Sequence, residues 1–191
     1  MASSAPPVHD AAKRGKSVSI LVLGMGNVLK GDDGLGVCAL RRLVDEGLEG
    51  AELLELGTSL ADCFFALERH DHVVALDAVA GGGEPGDLYW LSKEDFVRAR
   101  ERRVTLHDGD LLEALELAQL RGFRPQLHVA GMEPLRWDEW SLELSAPVQA
   151  AFPAYLDMIR TRLHELEGDR QGGEEKDRQE QGRCPRPRRG R

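Results

Sequence analysis

The feature that most constrains this chain is a regular alternation between short β-rich runs and stretches with helical spacing. "VSILVLG" (Val18–Gly24) and "HVVALDAV" (His72–Val79) are continuous apolar runs, as expected of strands buried on both faces. "AELLELG" (Ala51–Gly57), "DLYWL" (Asp87–Leu91) and "QLHVAGMEP" (Gln126–Pro134) complete a set of five predicted strands. Between them lie predicted helices. "DGLGVCALRRLVDEG" repeats apolar residues at Leu35, Cys38, Ala39 and Leu43 and stops near Gly47. "TSLADCFFALERH" starts at a Thr58 or Ser59 cap. "SKEDFVRARERR" is short and polar, whereas "HDGDLLEALELAQLRG" is amphipathic, with Leu111, Leu112, Leu115 and Ala118 or Gln119 on one side. "SAPVQAAFPAYLDMIRTRLHELE" has Ser145 as cap and Pro147 in its first turn, and is expected to break or restart at Pro153. Such alternation predicts an α/β fold, a three-layer α/β/α sandwich around a mostly parallel five-stranded twisted sheet.

The 191 residues suffice for one core-forming domain, expected over 17–167. Residues 1–16 are small, polar and proline-bearing and read as a flexible segment. From 168 onward the chain is charged and almost without apolar residues, so 168–191 is expected to be a disordered tail. The formal net charge of −8 argues against nucleic acid or an anionic membrane as partner. No apolar run approaches the roughly 18–20 residues that span a bilayer, and the first residues lack the apolar segment of a secretory signal, so the cytoplasm is the expected location. Cys38, Cys63 and Cys184 are few and far apart, which disfavours a disulfide framework or a thiolate zinc site. Cys38 and Cys63 both read as core.

Open parallel sheets place their sites beyond the carboxyl ends of the strands. That rule selects Asn27, Asp32 and Asp33 after the first strand, Glu55, Gly57 and Thr58 at the second, and Asp77 at the third. A dinucleotide site is one reading of "GMGNVL", but only Gly24 and Gly26 match, Leu29 stands where a third glycine belongs, and two aspartates would repel a pyrophosphate. A cation site is another. Asp77 closes an apolar strand, where a carboxylate is costly to desolvate unless hydrogen-bonded or bound to a cation. Asp33 lies on the neighbouring loop, and of the six histidines His107 stands just before the long amphipathic helix. His70 and His72 fall at the opposite end of the third strand, and His128 reads as a packed histidine within the fifth. Plainer roles stand beside this: Asp32 or Asp33 as N-cap of the first helix, Asp77 as a turn anchor, His107 as a helix cap. No GxSxG or Ser-His-Asp signature is present.

"LVLGMGNVLKGDDGLGV", "LGTS", "DHVVALDAVAGGGEPGDLYWL", "TLHDGDLLEALELAQLRGFRP" and "VAGMEPLRWDEWSLELSAPVQAAFP" together resemble the hydrogenase maturation proteases over about 18–166. The resemblance implies an endopeptidase that removes the C-terminal extension of a nickel-iron hydrogenase large-subunit precursor after nickel insertion. It implies that Asp33, Asp77 and His107 meet nickel supplied by the substrate, with no permanent metal in the enzyme, and that Asp33 or Asp77 serves catalysis. Gly24, Gly26, Asn27, Gly57 and Thr58 would then shape the substrate wall, although "LGTS" departs from the family's more usual acid-Gly-Gly-Thr/Ser. A monomer is expected. The rival readings are a chaperone that holds the nickel-loaded precursor without cutting it, and a nucleotide-binding α/β enzyme.

Overall fold

The computed structural model describes residues 18–58, 63–100 and 108–181, with side chains described up to 168 except at 99–100 and 108–110. Five strands, β1 (Ile20–Met25), β2 (Ala51–Gly57), β3 (His72–Ala78), β4 (Leu88–Ser92) and β5 (Gln126–Met132), form one sheet in the order β2-β1-β3-β5-β4. All neighbouring pairs are parallel except β4 with β5, so the sheet is mostly parallel as expected. The helices are α1 (Leu35–Asp45), α2 (Phe64–Leu67), α3 (Lys93–Arg100), α4 (Asp108–Leu120) and α5 (Ala146–Gln181). A 3-10 turn, Gly31–Gly34, precedes α1.

Strand alternation divides the core into two layers. Ile20, Val22, Val74, Leu76 and Ala130 face α1 and α5, where they meet Leu35, Leu43, Tyr155, Ile159 and Leu163. Leu21, Leu23, Val73, Ala75 and Val129 face the other side and pack on Leu67, Phe96, Leu111 and Leu115. The central strands β1 and β3 are buried almost end to end, which accounts for their unbroken apolar sequence.

α1 is seated on the carboxyl ends of the strands by close approach. A Cβ on Gly36 would lie 1.9 Å from the Leu76 carbonyl oxygen and 2.6 Å from that of Met25. A Cβ on Gly24 would lie 2.7 Å from Leu40 Cβ. These two glycines therefore serve the contact between helix and sheet.

Two sequence expectations change here. α5 is not interrupted: Pro153 lies inside it, on the exposed side, where the carbonyl that loses its helical partner faces solvent. The helix extends to Gln181, and 182–191 lie outside the described residues. Cys38 is half-buried beside Arg41 and Glu55 rather than in the core, because it falls at the margin of the apolar stripe; Cys63 is buried as expected.

Candidate active site

The loop after β1 is built from its own backbone. Gly26 adopts φ 110°, and a Cβ there would lie 1.7 Å from the Asp33 carbonyl oxygen, so only glycine lets the chain fold back this closely. The Gly26 N–H donates to the Gly57 carbonyl (2.9 Å), joining the ends of β1 and β2. Asn27 closes the turn: its side-chain oxygen accepts the Leu29 N–H, and its own N–H donates to Asp33 Oδ2 (both 3.0 Å). The glycines expected to admit a substrate tail thus permit internal approaches. Gly57, with φ 56°, and the exposed Thr58 stand at the end of β2, and Ser59 lies outside the described residues.

Asp32 and Asp33 are adjacent but have different work. Neither caps α1, whose N-cap position is Gly34 without a side-chain cap bond. Asp32 is fully buried. It accepts the Ser145 N–H (2.6 Å), the Ser145 hydroxyl (2.8 Å), and the Leu135 and Arg136 N–H groups (3.0 and 3.2 Å). It therefore ties the first loop to the start of α5 and to the segment after β5. The 3-10 turn explains the departure from a capping role, since it carries both carboxylates off the axis of α1 before the helix begins.

Asp33 and Asp77 are the two acids at the carboxyl edge of the central strands, each 3% exposed. Asp77 Oδ1 accepts the following Ala78 N–H (2.8 Å). The alternation along β3 turns Asp77 toward the layer that contains α4. On the opposite side, the Tyr155 hydroxyl donates to the Ala130 carbonyl (2.5 Å); burial, with the Asp77 charge as a second cause, pushes its pKa well up, so it stays a neutral donor. Among the described residues no three His, Cys, Asp or Glu side chains are grouped as a bound metal would need. His107, the expected third ligand, lies outside the described residues, immediately before α4.

His70, His72 and His128 are placed away from the two acids. His70 is bound through Nδ1 to the Ala66 carbonyl (2.7 Å) and lies 3.3 Å from Glu52 through Nε2. His128 stacks between His72 and Trp90, with centroids 5.4 Å away on each side. It is the packed histidine that the sequence suggests. Burial, and then the neighbouring His72, lower its pKa. Glu55, the acid a nucleotide ribose would need, is held in a two-point ion pair with Arg41 (2.8 and 2.7 Å), which lowers its pKa.

A further acid, Glu133, is missed by sequence reasoning. Its Oε2 accepts the N–H groups of Gly81, Gly82 and Gly83 (2.7, 3.0 and 3.2 Å) and the Tyr89 hydroxyl (2.6 Å). The backbone reinforces this clasp: Gly86 N–H donates to the Glu133 carbonyl and Glu133 N–H to that of Asp87 (both 2.8 Å). Met132 pairs with Ala78, so the clasped glycine loop leaves β3 just beyond Asp77. Burial and Glu133 together push the Tyr89 hydroxyl up to about 12. The only sequence signal is the coincidence of "GGG" with the "EP" of "GMEP", which spacing does not connect.

Two buried carboxylates thus lie at the carboxyl edge of a mostly parallel sheet that helices cover on both faces, an α/β architecture shared with solved structures. The family model for HycI-type hydrogenase maturation proteases matches residues 40–162. The hydrogenase expression/formation protein HupD of Rhizobium leguminosarum bv. viciae is 30% identical over 142 residues, which are 72% of this chain and 70% of that protein. The solved structure of the hydrogenase maturating endopeptidase HybD from E. coli has a TM-score of 0.69 at 26% identity, covering 78% of this chain and 93% of that one. The hydrogenase 2 maturation peptidase from Thaumarchaeota archaeon SCGC_AB-539-E09 has a TM-score of 0.56 at 31% identity, covering 76% and 97%. The chain belongs to the hydrogenase maturation protease family and is a maturation endopeptidase. That decides against the nucleotide-binding reading and the non-cleaving chaperone.

Proposed function

We propose that this protein hydrolyses one peptide bond near the C-terminus of a nickel-iron hydrogenase large-subunit precursor, after nickel has been inserted. The observation that carries the reading is the pair of buried acids, Asp33 in the turn that follows β1 and Asp77 in the neighbouring β3, in a member of this family. Desolvated carboxylates at an open edge favour a cation over any anion, and an imidazole from His107 would complete a three-ligand set. The orientation of Asp77 toward the α4 layer, whose helix follows His107 directly in the chain, supports that set.

Three protein ligands leave coordination positions open. In this reading the substrate's nickel enters with its own ligands, and the enzyme holds no resident metal. Recognition then depends on nickel being present, which makes cleavage a checkpoint on insertion. Bond breaking needs a polarised carbonyl and an activated water: the nickel can supply the first, and Asp33 or Asp77 can take the proton from the second. Asn27 N–H fixes one Asp33 oxygen and Ala78 N–H one Asp77 oxygen, so both carboxylates are oriented before substrate arrives. We place this activity in the cytoplasm and in a monomer; no described helix is long and apolar enough to cross a membrane.

The test is precursor processing followed by intact mass. The Asp33→Asn, Asp77→Asn and His107→Ala variants are each expected to lose cleavage by at least a hundredfold while keeping the native circular dichroism spectrum. Wild-type rates in the Asp77→Asn variant would overturn the site.

A further inference from the structure

The described surface carries a concentration of exposed apolar side chains: Leu29, Leu135, Trp137, Trp140 and Leu142, with Trp140 77% and Leu142 79% exposed. The other large exposed apolar residues are spread over α1 to α4. All five belong to two segments bound to each other. The Ser141 N–H donates to the Leu29 carbonyl (3.0 Å) and the Gly31 N–H to the Ser141 carbonyl (2.8 Å). Asp32 holds Leu135 and Arg136 by their backbones, and Arg136 pairs with Glu139 (3.0 Å). The segment is therefore fastened at several points while its tryptophans face outward. Aromatic side chains on a pre-ordered loop cost little entropy on docking and are the usual anchors of protein interfaces. Large apolar side chains exposed together on two segments bound to each other mark a candidate interaction surface.

We propose that this apolar rim is the docking surface for an apolar patch on the folded body of the precursor, separate from the segment that is cut. The proposal rests on the precursor being the substrate. The occupant follows from continuity. Leu29 and Gly31 lead directly into Asp33, whose N–H donates to the Lys30 carbonyl (3.2 Å), so whatever rests on the rim lies against the catalytic edge. A second copy seated there would obstruct that edge, whereas the body of a substrate whose tail enters it would not. The rim supplies affinity and the acid pair supplies chemistry.

The experiment compares wild type with the double variant Trp140→Ser, Leu142→Ser on full-length nickel-loaded precursor, measuring Kd by titration and KM and kcat by product mass. Both residues are exposed, so the unfolding temperature should stay within two degrees. The expected result is at least a tenfold rise in Kd and KM, equivalent to about 1.4 kcal/mol, with kcat within twofold. Unchanged Kd and KM would overturn the rim, as would a loss in kcat alone. A wild-type dimer that the double variant dissociates would overturn it in favour of a second copy. If wild type binds the precursor but does not cut it, the substrate reading fails on cleavage while the Kd comparison still decides the rim.

Discussion

Two acids near the carboxyl edge of this protein are identified as fasteners by the donors that face them. Asp32 and Glu133 are each saturated by four hydrogen bonds within the protein, so they act as fasteners. One fixes the loop that carries Asp33, the other the glycine loop that follows Asp77. Truncating Glu133 removes the partner of three N–H groups and a hydroxyl in part-buried bonds, a loss of about 1–3 kcal/mol that water reaching the exposed glycines holds toward the lower end. Glu133→Ala is accordingly expected to lower the unfolding free energy by that amount, read as a lower urea midpoint. Tyr89→Phe, which removes one donor and leaves the three glycine bonds, should cost about 0.5–1.5 kcal/mol. Equilibrium unfolding of both variants checks the order, and a Tyr89→Phe cost above that of Glu133→Ala would disprove the clasp. Glycines 81 and 83 are constrained by the same arrangement, since a Cβ on either would strike Tyr89, at 2.7 and 2.4 Å.

Elements are coupled most tightly where α1 meets the sheet. Gly36 rests against the carbonyls that end β1 and β3, and backbone cannot step aside as a side-chain tip can. Overpacking usually costs about 1–3 kcal/mol, and a clash with two carbonyls belongs at or above the upper end. Gly36→Ala should therefore give mainly insoluble protein or a strongly lowered unfolding temperature. Recovery of a native unfolding temperature in soluble protein would contradict the seating. A second element-scale property lies at β3 and β5, where His128 is stacked between His72 and Trp90. Its pKa is lowered from its ordinary 6.5, so the folded state prefers the neutral ring. Stability from this site is complete above pH 6.5. It is lost as the pH falls from there through the folded-state value, because the unfolded chain takes up the proton first. Urea midpoints measured from pH 7.5 to 5 should fall less steeply in His128→Gln than in wild type; identical slopes would exclude His128 as the cause.

The whole molecule is a scaffold whose helices cover both faces of one sheet and leave its carboxyl edge for chemistry. The proposed metal gating belongs to this scale, since it needs enzyme and precursor together. Nickel-loaded precursor is expected to lose its C-terminal peptide on addition of this protein. The nickel-free form should stay intact over the same period, as read by product mass. Equal cleavage of both forms would remove nickel from recognition.

The sequence by itself determined the layer architecture, the five strands and the edge on which the acids gather. Those depend on local periodicity and on the rule that parallel sheets work at their carboxyl ends. Motif resemblance also carried the family, because "GMGNVLKGDDGLG" records a loop whose backbone must fold against itself. Only the tertiary structure decided which aspartate of the pair is a fastener, for the donors to Asp32 lie more than a hundred residues away at Leu135, Arg136 and Ser145. The same holds for Glu133, which meets its glycines through the pairing of β3 with β5. It holds again for Pro153, tolerated because its side of α5 faces solvent. For Asp32 and Glu133 the deciding partners are remote in sequence, and hydrogen bonds formed at such range leave no periodic trace in the chain.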